Sequence, residues 1–285
     1  MKTVLIIRNR NAGFFSIFVQ IMNNLVYINN DVDIIPIVEL TKEWGYGTDC
    51  VWKQFFNPLN SYEIQENDKI IETKTYYPNY KLKNMRRSLF SDFRMIPSIE
   101  SRIEFSKVIK LHIKLKDLYK SKFDKFYEDK LKNIKVIGVN FRGTDSRSDP
   151  RRKTPSYSKY KDYINNILKE DKNCKIFCAS DEKEFIDYIN SNYPNITYFN
   201  NNPFIGSKTA CKRFKHNYDC PSFINKNPIA SLEGALFDYY ILSKCNYIIF
   251  HQGSIPLSVL FTNPDIVPIV VKEGGYRSVL KKGGY

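Results

Sequence analysis

Two separate runs of alternating strand and helix patterns constrain this chain more than any other feature. The first opens at the N-terminus: TVLIIR (3–8), the polar stretch NRNAG, a helical pattern from Phe14 to Tyr27, then the apolar run IIPIVEL (34–40). The second follows residue 134, with strands KVIGVNF (135–141), KIFCAS (175–180), ITYF (196–199), NYIIF (246–250) and IVPIVV (266–271). Between them lie helical patterns at Tyr157–Lys169, Glu182–Ser191, Pro228–Leu242 and Ser254–Phe261. Continuous apolar strands alternating with helices require parallel sheets covered on both faces. The expected fold is α/β, with two Rossmann-like domains facing a cleft: an N-terminal one over 1–132 and a C-terminal one over 133–285. Residues 44–100 are aromatic-rich and irregular, suggesting short elements and loops. Asp181, with Glu184 three positions on, predicts a capping box for the helix at 182–191.

Composition narrows the function classes. At 42% hydrophobic and 26% charged over 285 residues, the chain can bury a large core, which excludes a disordered protein. No apolar run reaches the roughly 18–20 residues of a membrane span, and Val4–Ile7 is cut off by Arg8 and Arg10 before it could serve as a signal-peptide core. The six Cys (50, 174, 178, 211, 220 and 245) and three His show neither CxxC pairs nor zinc-finger spacing. Reduced thiols in a cytoplasm-like compartment are expected. A formal charge of +14 favours anionic partners. Part of the excess lies in residues 104–135, where ten Lys face five acids in what reads as one basic helix with Val108, Leu111, Leu115, Leu118, Phe123 and Phe126 at helical spacing. Such a stripe reads first as a solvated helix face and second as a surface for an anionic membrane or glycolipid; nucleic acid ranks below both, since no stacking-platform motif accompanies it.

In open α/β sheets ligands sit beyond the carboxyl ends of the strands, so the residues that follow each strand carry the argument. After the strand at 135–141 come Arg142, Gly143, Thr144 and Asp145. A guanidinium there can hold a phosphate bidentately, and a glycine lets the backbone approach; a solvated turn with an ion pair is the plainer alternative. After the strand at 246–250 come His251, Gln252, Gly253 and Ser254. Ser254 opens a helix whose N-terminal N–H groups suit an anion, or acts simply as a cap, and His251 reads as a packed or surface histidine. Asp238, on a largely apolar helix, is either an arginine partner or a base-recognition carboxylate. Gly13 and Phe14 follow the first strand, where a single glycine is a weak signal. The one short DxD, Asp31-Val32-Asp33, precedes a strand and is a poor metal site.

Together these blocks resemble the α1,6-/protein O-fucosyltransferase superfamily, which includes the bacterial nodulation fucosyltransferases. The family's strand followed by His-x-Arg-(Gly/Arg)-Thr-Asp is matched by Asn140 to Asp145, with Asn in place of His at 140. Its Asp-bearing helix ending in Leu-Ser, then a strand and a Ser-containing turn, is matched by Asp238–Ser243 and Gly253-Ser254. The Gly13–Ser16 block and VWKQFFNP (51–58) look like bacterial-type members.

The resemblance implies a GT-B fold and an inverting, metal-independent transferase with no cofactor that takes a sugar from a nucleotide sugar, usually GDP-fucose, to an oligosaccharide or glycolipid acceptor. By carry-over Arg142 would bind the diphosphate, Asp238 the guanine N1–H and amine, Ser254 a phosphate, and Asp149 (with Asp145 second) would serve as base. Asn140, Gly13, Phe14 and Gly253 fall in the donor-binding blocks. Failing Asp149 and Asp145, Glu39 or Glu43 would be candidates on the acceptor side. A donor such as UDP-xylose, or a non-catalytic binding protein for carbohydrate or nucleic acid, are the alternatives at this stage.

Overall fold

The computed structural model describes residues 2–8, 13–29, 33–40, 50–74, 96–143, 154–200 and 228–272. Two parallel sheets organise them. The first has the order β2-β1-β3, from β1 (Thr3–Arg8), β2 (Ile34–Glu39) and β3 (Lys69–Thr73). The second has the order β6-β5-β4-β7-β8, from β4 (Val136–Phe141), β5 (Lys175–Ser180), β6 (Thr197–Phe199), β7 (Tyr247–Phe250) and β8 (Val267–Val270). Every pairing is parallel, with Asn140 opposite Ala179 on one side and Phe250 on the other.

Strand alternation distributes the second sheet between two cores. Ile137, Val139, Phe141, Ile176, Cys178 and Ile249 pack with α5 (Tyr157–Glu170) and α6 (Lys183–Asn192). Val136, Phe177, Ala179, Ile248 and Phe250 turn to the opposite face, towards α7 (Pro228–Leu242) and α8 (Ser254–Thr262). That second core continues into the first sheet: Leu5, Ile7 and Val38 belong to it, joined through α1 (Phe14–Ile28). Helix α1, mostly apolar, is buried at every position except Ser16 and Tyr27, and its burial takes in the polar Gln20, Asn23 and Asn24. Its Phe15 and Phe18 rings each lie 5.4 Å from Tyr239 of α7.

The basic segment forms two helices, not the single one its spacing predicts. Helix α3 (Ile99–His112) stops at Ile113, and α4 (Asp117–Lys130) starts afresh. The intervening residues are extended because they pair with the end of α2 (Val51–Phe55): Leu115 bridges Phe56, Asn57 N–H donates to the Lys114 carbonyl at 2.9 Å, and Lys116 N–H donates to the Phe55 carbonyl at 2.9 Å. Tertiary pairing thus overrides a continuous helical pattern, and Leu111 and Leu118, expected on the apolar stripe, are 64% and 76% exposed. Strand β3 was hidden within the irregular stretch; exposed at most of its positions, it lacks an apolar run. The capping box is also corrected: Glu182 occupies the N-cap of α6 without a side-chain cap bond, and Asp181 reaches elsewhere.

Among the described residues no helix is long and apolar enough to cross a membrane, and Cys50, Cys174, Cys178 and Cys245 are free thiols; Cys211 and Cys220 lie outside the described residues.

Gly138 marks where α7 meets β4 most tightly. A Cβ there would come within 2.9 Å of Leu242 Cδ2, 3.1 Å of the Tyr247 carbonyl and 3.2 Å of Cys245 Sγ. Gly138→Ala is expected to lower stability by about 1–3 kcal/mol through overpacking, read as a shift in the denaturant midpoint at unchanged slope.

Candidate active site

Three neighbouring strands of the second sheet end side by side, and each hands its chain to a polar turn. Strand β4 runs into Arg142-Gly143, β5 into Asp181-Glu182, and β7 into His251-Gln252-Gly253 before α8. The β4 turn is clamped from the β5 side. Gly143 N–H donates to Asp181 Oδ1 at 2.7 Å. A Cβ at position 143 would fall 2.6 Å from Glu182 Cδ and 2.7 Å from Phe141 Cε1, so only glycine fits. Glu182 is fully buried, its carboxylate accepts the Tyr157 hydroxyl, and its own N–H donates to Ser180 Oγ at 3.0 Å.

On the β7 side Gly253 has φ 131° and ψ 163°, a backbone region essentially reserved for glycine. Space does not restrict it, since a Cβ would lie 3.5 Å from Pro256 Cδ and 3.9 Å from Arg142 Cδ. The second distance places the Arg142 stem beside Gly253, between the two turns. Helix α8 begins at once with Ser254, 8% exposed, and its first-turn N–H groups have no partner within the helix. Pro256 in that turn has no N–H to contribute, and Ser258 Oγ donates to the Ser254 carbonyl at 2.8 Å. The sequence thus places an arginine stem, a glycine-only turn and a helix N-terminus together, an arrangement suited to an anion.

The neighbouring candidates fall into distinct settings. His251 is buried, with Nδ1 2.7 Å from the Tyr160 hydroxyl and its ring 5.5 Å from Phe141, so it is a packed histidine on the α5 face. Asn140 is buried, and alternation puts it on the opposite, α7 face. Asp238 lies on α7; the residue keeps some accessible surface, but its Oδ1 is sealed from solvent and meets no hydrogen-bond partner among the described residues. Burial drives its carboxyl well above the ordinary range, against a smaller opposing effect from the Asn200 side chain. Among the described residues no arginine is paired with this carboxyl; it neighbours Asn200 and, through space, the Cys178 thiol, which burial and then Asp238 push up.

The remaining candidates lie on the first sheet's carboxyl edge. Gly13 caps α1 with an ordinary φ of −61°, and a Cβ there would meet nothing within 4 Å, so neither a tight turn nor close packing demands glycine. The Phe14 ring is buried against Phe18 and Phe56, leaving its backbone as the part that faces the helix start. Glu39 is ion-paired to Arg8 at 2.8 Å, and Arg8 also holds Glu72 at 2.7 Å, which lowers the Glu72 carboxyl. Asp33 precedes β2, remote from the carboxyl edge. Asp31, Glu43, Thr144, Asp145 and Asp149 lie outside the described residues. Sequence reasoning missed Asp181 and Glu182 as partners of the Arg142 turn, assigning Asp181 to a cap. Their signal was the acidic pair directly after β5, the strand next to β4.

Solved structures share this fold. A NodZ α-1,6-fucosyltransferase soaked with GDP-fucose superposes at a TM-score of 0.55 and 15% identity, covering 93% of each chain. NodZ from Bradyrhizobium gives 0.54 and 15%, covering 94% of each, and POFUT1 in complex with GDP-fucose gives 0.50 and 9%, covering 95% of this chain and 98% of that one. These likenesses show that the chain shares the two-sheet α/β fold, of the GT-B type, of those proteins. No family model and no curated protein matches the sequence.

Gly253→Ala is expected to cost about 1–3 kcal/mol from backbone strain alone, because the site has room for the methyl group. Thermal melts would check this against Gly13→Ala, where no comparable loss is expected.

Proposed function

We propose that this protein is an inverting, metal-independent glycosyltransferase that moves a sugar, fucose from GDP-fucose, to an oligosaccharide or glycolipid acceptor. The observation that carries the reading is the Arg142 stem seated beside Gly253 at the N-terminus of α8, on the carboxyl edge of a parallel sheet. The fold is shared with proteins solved with GDP and GDP-fucose. Residues 133–285 form the donor side and residues 1–132 the acceptor side of this reading.

Glycosyl transfer leaves negative charge on the departing diphosphate. The Arg142 guanidinium and the first-turn N–H groups of α8 supply fixed positive potential where that charge develops, which is how such a site stabilises the transition state. Ser254 contributes its backbone and hydroxyl at the same point. Inversion needs one base to take the acceptor hydroxyl proton on the face opposite the leaving group; Asp149 is assigned that role, with Asp145 second. Asp238 reads the base. Its orphaned Oδ1 suits a ligand N–H, and guanine offers two donors on its N1 and N2 edge to an ionised carboxylate. Asn140, standing where the resembling family has His, leaves a different donor base or sugar as the second reading. A thermal-shift panel of GDP, UDP and CMP and their sugars separates the two, since a ligand at 100 times its Kd adds about 2.7 kcal/mol.

Arg142→Ala and Arg142→Lys should both abolish most transfer in EDTA-containing buffer with the fold intact, because a point charge does not reproduce the guanidinium fork. Near-normal turnover in either variant, or a requirement for added Mn²⁺ or Mg²⁺, would contradict the assignment.

Asp238→Asn should weaken GDP by about 1–3 kcal/mol and leave UDP unchanged. Because burial holds the free protein's carboxyl protonated above its ordinary range, guanine binding to the ionised form releases a proton. GDP affinity should therefore rise with pH until the raised pKa is passed, and the Asn variant should lose that dependence. The unliganded fold should respond in the opposite sense: the folded state holds this proton above the unfolded pKa, so stability falls as pH rises through the raised value. Calorimetric titration across pH, with melts alongside, measures both.

A further inference from the structure

We propose that the outer face of α3, the connector 113–116 and the first turn of α4 form a docking surface for an anionic lipid bilayer. The inference is independent of the donor assignment. Helix α3 buries Phe105, Val108 and Ile109 against α1 and α8, and anchors through Arg102, which donates to the Pro264 and Ile266 carbonyls, and Ser106, which donates to the Thr262 carbonyl at 3.0 Å. Its opposite face then presents Ile103, Lys107, Lys110 and Leu111, spaced four, seven and eight positions from Ile103, with the exposed Glu100 and Glu104 beside them. In the extended connector Ile113 and Leu115 pack inward, so alternation turns Lys114 and Lys116 outward. Leu118 follows in the first turn of α4.

Exposure and charge coincide here. Leu111 and Leu118, at 64% and 76%, are the most exposed large hydrophobic residues among those described, and Ile103 adds 41%. The lysines around them differ from those further along α4. Lys120, Lys122, Lys125 and Lys132 are each matched to a carboxylate, of Asp124, Glu233, Asp129 and Glu128 respectively. Lys107, Lys110 and Lys116 meet no carboxylate among the described residues, and Lys114 reaches the Lys110 carbonyl. Four lysines against the exposed Glu100, Glu104 and Asp117, with no carboxylate contact among the described residues and set around exposed aliphatic side chains, complement a layer that offers phosphate at its surface and hydrocarbon beneath. A nucleic-acid backbone would use the lysines and leave the leucines in water.

The test is co-sedimentation of the full chain with phosphatidylcholine vesicles, with and without phosphatidylglycerol. The surface predicts at least roughly tenfold stronger partitioning onto the anionic vesicles at low salt, falling steeply as salt rises. Two variants separate the contributions. Lys107→Gln/Lys110→Gln/Lys114→Gln/Lys116→Gln should remove the preference for anionic lipid, and Leu111→Ser/Leu118→Ser should weaken binding roughly tenfold at unchanged charge. Apart from the half-buried Lys116 the substituted side chains are exposed, so melting temperatures should stay near wild type and nucleotide binding should be unchanged. The proposal is overturned by equal binding to neutral and anionic vesicles, or by no binding. It is equally overturned if both variants bind as wild type does, if duplex RNA or DNA is bound with no effect of the serine variant, or if light scattering shows a dimer that the serine variant dissolves.

Discussion

Strand β4 has parallel neighbours on both sides, and the chain reaches them in opposite directions. It moves outward through β5 and β6, then returns across the sheet to build β7 and β8. The connections on either side of β4 therefore diverge, opening a crevice beyond its carboxyl end. Everything at the candidate site hangs on that reversal. It sets the Arg142 turn between the acidic pair after β5 and the glycine turn after β7, and it brings the start of α8 to the same place. The first sheet repeats the device on a smaller scale, with β2 and β3 on opposite sides of β1.

The two sheets are held by one shared layer of helices. Helix α1, buried on all sides, packs against α3 and α8, and its aromatic rings meet Tyr239 of α7. Helix α3 stacks Phe105 on Phe261, with centroids 3.9 Å apart, and its buried Arg102 satisfies carbonyls just beyond the C-terminal end of α8. Helix α8 thus begins at the candidate anion site and ends in contacts made by α3, so its N-terminus is positioned from both ends. That rigidity suits a site meant to hold fixed dipoles at a developing charge.

Buried polar groups mark where the fold gives up stability for position. Glu182 sits fully buried beneath Gly143, and Asp238 holds an oxygen sealed from solvent with no hydrogen-bond partner among the described residues. Burying such groups is unfavourable unless they are paired. In Glu182 the Tyr157 hydroxyl provides part of that pairing, and the consequence is a turn that tolerates no side chain at 143. In Asp238 the remaining hydrogen-bonding capacity stays open, which is the physical basis for assigning it to a ligand.

The parallel α/β architecture, and the strands and helices of the two alternating series, were legible in the sequence, because apolar runs such as VIGVNF and KIFCAS, with helical spacing between them, encode burial locally. The sequence also singles out Arg142 and Ser254 from order alone, because they follow the ends of buried strands. Strand β3 escaped it, being held by backbone pairing to β1 with little burial of its own. The break between α3 and α4 escaped it too, because the pairing that extends 113–116 comes from Phe55–Asn57, about sixty residues earlier in the chain. Asp181 offers the clearest contrast: its local pattern spelled a helix cap, yet in the folded chain it takes the N–H of Gly143, a partner brought within reach only when β4 and β5 pair. Local spacing fixes periodicity and burial, whereas the partner of a polar side chain is decided by which strands become neighbours.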